Sequence, residues 1–428
     1  MLLLIFIGLL LVLMSLGIMI AYALGLTSFV ALVIGSGIEK FPFELIANRL
    51  YYGINSFPLL AVPMFILAGQ IMNAAKLTDR IFDFVNKLVG HVRGGLGQVN
   101  VIASMIFAGM SGSATADAGG LGAVEIKAMN DAGYPADFSV GITGASSMVG
   151  PIIPPSIPMV VYGVLASVSV GELFLGGLIP GVMLGASLMV LCGYFGVKRN
   201  FPKQTRPQLA EIVKSFKKGF FALLTPLIII GGIWSGVFTP TEAGATAVVY
   251  ALFLGVLVYK EISLRELWHV FNQSARLSVR VIFILTFGAF YGWLLIRYRI
   301  PMVLSEYLAT LSTNPVILLL VINLFFFVVG CFMSTIVSVT ILTPIFVPII
   351  KTFGINPLHF GVVMVFNLTL GNITPPFGIV LYTLSSVANM PVIQVVKALI
   401  PFLIPLLIAL LLCVIFPPLV TYIPLHLM

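Results

Sequence analysis

Two long apolar stretches, residues 94–127 and 314–351, are interrupted at their centres by small polar residues. The interruptions read Met110-Ser111-Gly112-Ser113-Ala114-Thr115 and Cys331-Phe332-Met333-Ser334-Thr335. About 20 apolar residues cross a bilayer core, so a longer run with a polar middle reads as a re-entrant hairpin. Its tip carries unsatisfied backbone groups, which hydrocarbon excludes unless the tip is buried in protein or faces a water-filled cavity. The rest of the chain agrees with a membrane setting. Only 8% of its 428 residues are charged, 60% are hydrophobic and the mean hydropathy is +1.15, whereas soluble proteins carry about 25% charged residues. The fold class expected is an all-α polytopic membrane protein. A soluble enzyme, a disordered scaffold and a disulfide-built secreted module are excluded, the three cysteines lying in apolar runs.

Further spans are expected near residues 1–24, 25–38, 57–75, 138–166, 172–196, 219–237, 241–259, 279–296, 360–388 and 398–423. The first of them lacks a basic leader region and a polar stop, so it reads as a retained span. Amphipathic stretches at Phe43–Tyr52, Lys76–Val89 and Leu264–Phe271 are expected along the membrane surface. The net charge of +8 comes from 22 basic residues spread through the connecting loops, a matter of topology rather than of nucleic-acid binding. Seven of them fall in 198–218, which is therefore placed in the cytoplasm. Propagating the spans from there leaves five outside, Lys40, Arg49, Arg297, Arg299 and Lys351. Both termini are then periplasmic, and five spans in each half force inverted topology.

A repeat is visible residue by residue. A shift of 221 positions superposes Ser113 on Ser334, Gly133 on Gly354, Gly150 on Gly371, Ile152 on Ile373 and Pro154-Pro155 on Pro375-Pro376. The expected division is a first repeat over 1–200, with hairpin 94–127 and broken helix 138–166, a cytoplasmic linker over 201–218, and a second repeat over 219–428, with hairpin 314–351 and broken helix 360–388. Inverted repeats with broken helices are the pattern of secondary transporters.

Pro154, Pro155, Pro375 and Pro376 remove backbone donors and push the residues before them out of the helical region. Ser146, Ser147, Gly150 and Ser156 surround the first break, and Asn367, Thr369, Gly371, Asn372 and Thr374 precede the second. Carbonyls of an unwound turn together with hydroxyl and amide oxygens suit sodium, a hard cation. The competing reading is a proline kink whose hydroxyls bond back to the i−4 carbonyl. Asp117 lies near the start of a half-helix, deep in the apolar zone. It either serves a cation or a proton, or complements the dipole of its helix; Ser338 holds the matching place in the second half. The Gly109-Met110-Ser111-Gly112 run has the spacing of an intramembrane serine protease. His91, His269, His359 and His426, however, all sit in loops or at span ends, leaving no mid-membrane base to activate the serine.

Gly112-Ser113-Ala114-Thr115-Ala116-Asp117-Ala118, Pro154-Pro155-Ser156-Ile157-Pro158, Thr239-Pro240-Thr241-Glu242-Ala243-Gly244-Ala245 and Thr374-Pro375-Pro376, in this order, resemble the large (M) membrane subunit of tripartite ATP-independent periplasmic (TRAP) transporters along the whole chain. The resemblance implies an elevator fold in which hairpins and broken helices form a mobile transport domain and the remaining spans a scaffold. It implies Na+ as coupling ion and no organic cofactor. One sodium site is expected at Ser111, Ser113, Ser147, Val149 and Pro151 and a second at Ser334, Thr335, Thr369, Gly371 and Asn372. Substrate contacts are expected from Thr115, Asp117, Ser156, Ser338, Asn367 and Thr374. Glu242 belongs to a family motif but stands where a helix cap would. The implied partners are a small four-helix membrane subunit (Q type), expected as a separate polypeptide, and a periplasmic substrate-binding protein (P type).

The activity expected is import of an organic acid across a bacterial inner membrane, with no catalytic residue and no transition metal. Sialic acid is favoured over C4-dicarboxylates, because the tips offer hydroxyls and amides but no buried arginine pair. A stand-alone sodium- or proton-coupled carboxylate carrier is the alternative, and a passive channel fits less well, lacking pore-lining polar stripes.

Overall fold

The computed structural model describes residues 5–37 and 43–427, so Lys40 and the start of the first expected span lie outside the described residues. Among those described there is no strand. Eight helices among the described residues are long and apolar enough to cross a bilayer, from Phe57–Ala74 to Val392–Ile415.

Three expectations are corrected and one helix is added. The first two spans divide at Leu16–Met19 rather than at residue 24, since Gly17 takes φ +78° and ends the first helix before Ile20–Ser36 begins. Leu264–Phe271 is no separate surface stretch. It opens the 34-residue helix Leu264–Arg297 under a Ser263/Glu266 capping box, and at 1.5 Å per residue such a helix is about 50 Å long, so its polar end projects past the apolar layer. The span expected at 398–423 stops at Ile415, where Phe416 leaves helical geometry before Pro417 and the chain resumes at Pro418–Leu427. An unforeseen helix, Ile300–Leu311, starts after Arg299 at φ +56°.

Around the tips, the helix bounds repeat at the offset read from the sequence. The first hairpin comprises Gly95–Ser111, a turn, Ala114–Gly119 and Leu121–Asp131; the second comprises Pro315–Phe332 and Thr335–Thr352. Gly133 and Gly354 end the returning arms with φ +82° and +67°, left-handed caps that glycine adopts without penalty. The first broken helix runs Ala136–Ser146, a short 3-10 turn to Val149, an unwound stretch and Ile157–Ala166; the second runs Pro357–Gly371, an unwound stretch and Ile379–Ala388.

The two repeats exchange partners. The segment Ala114–Gly119 packs against Ile379–Ala388, and Ile157–Ala166 packs against Thr335–Thr352. The tips and breaks are thereby gathered at one place. A separate set of contacts joins Ile20–Ser36, Phe43–Ile54, Ala61–Ala74, Pro240–Leu252 and Leu264–Arg297. Off the membrane spans, Lys76 and Arg80 both pair with Glu261 at 3.1 Å, and Arg80 lies 3.9 Å over the Tyr259 ring.

Candidate functional site

The first tip turns at Gly112, whose φ of +60° glycine adopts without the steric cost a side chain would add. A Cβ there would come 2.4 Å from the Pro155 carbonyl oxygen, so the tip rests directly on the first break. From the other side, a Cβ on Gly150 would come 3.3 Å from the Ser113 carbonyl carbon. The second tip meets its break through different groups. The Phe377 amide donates to the Cys331 carbonyl at 3.1 Å and Asn372 Nδ2 donates to Thr335 Oγ1 at 2.9 Å, while within the break the Val380 amide donates to the Asn372 carbonyl at 3.0 Å. Gly371 and Gly330 touch so closely that a Cβ on Gly371 would come 2.2 Å from the Gly330 carbonyl carbon. The Pro154-Pro155 and Pro375-Pro376 bonds are both cis.

Between the four elements lies a cavity of about 110 Å³ lined by Ser113, Thr115, Pro151, Ser334, Thr335 and Asn372, together with Gly112, Ala114, Ile157, Pro158, Ile336 and Ile379. Its polar lining is neutral. Small-molecule pockets commonly hold about 300–1,000 Å³, so a space this size takes ions or water, and an organic acid would need it widened. Of the expected sodium positions the cavity wall holds Ser113, Pro151, Ser334, Thr335 and Asn372; of the expected substrate positions it holds Thr115 alone.

The other expected residues stand back from it, for identifiable reasons. Ser147 donates to the Gly144 carbonyl, Thr369 to Val365 and Thr374 to Leu370, at 2.7–2.9 Å. These are the back-bonds of the kinked-helix alternative. The Val149 carbonyl accepts from the amides of Ile152 and Ile153. Ser156 caps Ile157–Ala166, accepting from the Met159 amide at 3.3 Å, and donates to the Pro151 carbonyl. Asn367 Nδ2 donates to the carbonyl and to Oδ1 of Asn323, at 2.8 and 2.7 Å. The hydroxyls of Ser111 and Ser338 are buried without a partner among the described residues. Among those residues no histidine bonds to Ser111, and His359 is buried and reaches the Cys413 carbonyl at 2.7 Å.

Asp117 points away from the cavity into a network that sequence reasoning missed. Its Oδ1 lies 3.4 Å from Ser104 Oγ, which lies 3.2 Å from Ser146 Oγ. Ser146 donates to Asn100 Oδ1 at 2.7 Å, while Asn100 Nδ2 donates to Glu125 Oε2 at 2.6 Å and to Thr143 Oγ1 at 2.7 Å. Glu125 is fully buried, and Asp117 Oδ2 and Glu125 Oε1 have no partner among the described residues. The available signal was Glu125 itself, an acid inside the expected hairpin segment. Glu242 completes a capping box, its carboxylate accepting from the Thr239 amide at 2.8 Å.

Comparison with known proteins gives one consistent answer. Residues 7–419 match the family described as "Tripartite ATP-independent periplasmic transporter, DctM component". The chain is 43% identical over 378 residues to the sialic acid TRAP transporter large permease protein SiaM of Vibrio cholerae, covering 88% of each. It is 41% identical over 417 residues to the 2,3-diketo-L-gulonate TRAP transporter large permease protein YiaN of Escherichia coli, covering 97% of each. To the C4-dicarboxylate TRAP transporter large permease protein DctM of Pseudomonas aeruginosa it is 38% identical over 379 residues, covering 89% of this chain and 87% of that one. Its fold resembles the crystal structure of the YdaH transporter of Alcanivorax borkumensis, described as having an unusual topology, at a TM-score of 0.64, 14% identity and 89% coverage of both chains. The chain is a multi-span transporter subunit rather than an enzyme, and it belongs to the DctM component family of tripartite ATP-independent periplasmic transporters.

Proposed function

We propose that this subunit imports an organic acid by sodium symport, with the hairpins and broken helices moving as one body past the outer helices. The observation that carries the reading is the small cavity where both tips and both breaks converge, its wall largely apolar and its few polar groups all uncharged. A sodium ion gives up part of its hydration shell most readily to carbonyl, hydroxyl and amide oxygens held in place beforehand. Ser113 and Pro151 supply such oxygens on the first side, and Ser334, Thr335 and Asn372 on the second. Ser111, Ser147, Val149, Thr369 and Gly371 back this wall, and they would join it through their carbonyls or by a hydroxyl turning inward.

The substrate anion would meet the start of Thr335–Thr352, where among the described residues the cap residue Ser334 makes no side-chain hydrogen bond to the helix. Thr115 faces the same space. Asp117, Ser156, Ser338, Asn367 and Thr374 act behind it in this reading. Sialic acid is the first candidate, a C4-dicarboxylate the next; relatives named for either are similar to this chain along most of its length. A Q-type small membrane subunit and a P-type periplasmic binding protein complete the assembly, and family membership favours this over a solitary carrier. The proposed setting is a bacterial inner membrane with 198–218 inside and both termini outside.

The test is uptake into liposomes containing both membrane subunits, with candidate acids presented on the binding protein. A sodium gradient should drive accumulation and a choline gradient should not. Uptake indifferent to sodium would refute the coupling.

A further inference from the structure

We propose that buried side-chain hydrogen bonds at equivalent places in the two halves, from Ser146 to Asn100 in the first and from Asn367 to Asn323 in the second, clamp the broken helix to its hairpin and so position the oxygens of the cation cage. Glu125 sets the orientation of the first clamp. The inference rests on the sodium reading above and names positioning residues that lie outside the cavity wall.

The clamps occupy equivalent places. The 221-residue offset puts Ser146 on Asn367. Ser146 is the last residue of its helix before the turn Ser147–Val149, and Asn367 stands one turn ahead of Gly371 and Asn372. Each reaches the first arm of its own hairpin, to Asn100 Oδ1 and to Asn323 Oδ1, at 2.7 Å in both cases. The receiving residues are not equivalent, because the offset aligns Asn100 with Val321 and Asn323 with Ile102. The same connection is therefore made twice by different residues.

The hairpin itself has no need of the polar residues. Ser104, Glu125 and Thr143 align with Phe325, Phe346 and Met364, and Phe325 and Phe346 pack together at 5.8 Å between centroids. What the two halves share at this level is a side-chain link from position 146 or 367 of the broken helix to the first arm of the hairpin, made in a dry interior; in the second half Asn367 Nδ2 reaches the Asn323 carbonyl as well as its Oδ1, so both bonds hang on Asn367.

Glu125 acts on the first clamp through the amide. The oxygen and nitrogen ends of Asn100 have the same shape, and which end faces Ser146 is decided by what accepts the N–H groups. Glu125 Oε2 and Thr143 Oγ1 accept both, leaving Oδ1 for Ser146. A glutamine at 125 would still offer an oxygen, whereas a leucine would not.

The experiment titrates sodium chloride against choline chloride on the purified complex of both membrane subunits, reading thermal unfolding, so that sodium alone is the probe. Asn100→Leu, Asn367→Leu and Glu125→Leu should raise the half-saturating sodium concentration at least about threefold, the worth of one hydrogen bond or more. Glu125→Gln should stay within about twofold of wild type. Where a leucine variant does not assemble, Asn100→Ser and Asn367→Ser, which shorten the side chain without adding bulk, are read in the same way. Leucine or serine variants that melt earlier in choline yet keep the wild-type sodium midpoint would overturn the clamp and leave symport intact. A Glu125→Gln variant as impaired as Glu125→Leu would overturn the orienting role. A wild type that sodium does not stabilise would sink the cation reading and the clamp with it.

Discussion

The contact between Gly371 and Gly330 allows a sharp prediction, because the cost of one added carbon can be worked out for each partner. A Cβ on Gly371 would sit 2.2 Å from the Gly330 carbonyl carbon and 2.5 Å from its Cα and oxygen, all of them backbone. Ordinary contact begins near 3.4 Å, so Pro315–Phe332 and Pro357–Gly371 would have to part by about 1.2 Å, an overpacking that costs about 1–3 kcal/mol. A Cβ on Gly330 would first meet the Leu368 carbonyl oxygen at 3.1 Å and needs a retreat of only about 0.3 Å. The separation in Gly371→Ala falls next to the Asn372–Thr335 and Phe377–Cys331 bonds that hold the second tip to its break. Gly371→Ala should therefore lower the melting temperature and raise the half-saturating sodium concentration at least about tenfold, a loss of roughly 1.4 kcal/mol of site binding. Gly330→Ala should shift it by less than about twofold. Both are read by the sodium titration of unfolding and by sodium-driven uptake. A Gly371→Ala protein with wild-type midpoints, or a Gly330→Ala protein equally damaged, would show that this contact does not set the second cage.

Three further outcomes are expected. Ser113→Ala and Ser334→Ala should each weaken the sodium dependence of uptake several-fold while the protein still inserts and assembles, as checked by co-purification with the small subunit; equal activity with wild type would count against both tip sites. Thr239→Ala removes the capping box and should cost about 1 kcal/mol of stability, visible as an earlier melt with an unchanged sodium midpoint. Glu261 has its carboxyl held below the ordinary 4.5 by the hydrogen bond and charge of Lys76 and then by Arg80. Its contribution is thus present above pH 4.5 and fades as the pH drops through the lowered value. Glu261→Gln should melt earlier than wild type at pH 7 and alongside it at the acid end, and a gap that persists there would refute the ion-pair account.

Much of the architecture was legible because glycine and proline encode backbone geometry directly. Pro154-Pro155, Pro375-Pro376, Gly133 and Gly354 announced breaks and caps, and the offset between them carried through to helix bounds. The break after Ile415 was signalled by Pro417-Pro418 and overlooked, since hydropathy continues smoothly across it. The direction in which a hydroxyl points was not legible. Ser147, Thr369 and Thr374 have carbonyls of their own helices within reach and turn to them, and only tertiary packing decides between that bond and the cavity. Asp117 was correctly picked out as buried, but its direction depends on Ser104, thirteen residues earlier in the chain. Asn100 gains its meaning from Glu125, Thr143 and Ser146, which lie 25, 43 and 46 residues away, and no local pattern joins them.

The two halves keep one geometry and fill it with unlike chemistry, acids and hydroxyls behind the first tip and phenylalanines behind the second. If each tip holds a cation as proposed, mutation could adjust one ion position through its backing while the other stays at its original setting. The two halves would then be separately tunable dials, and differences in cation preference among relatives should collect behind the tips, out of sight of the cargo.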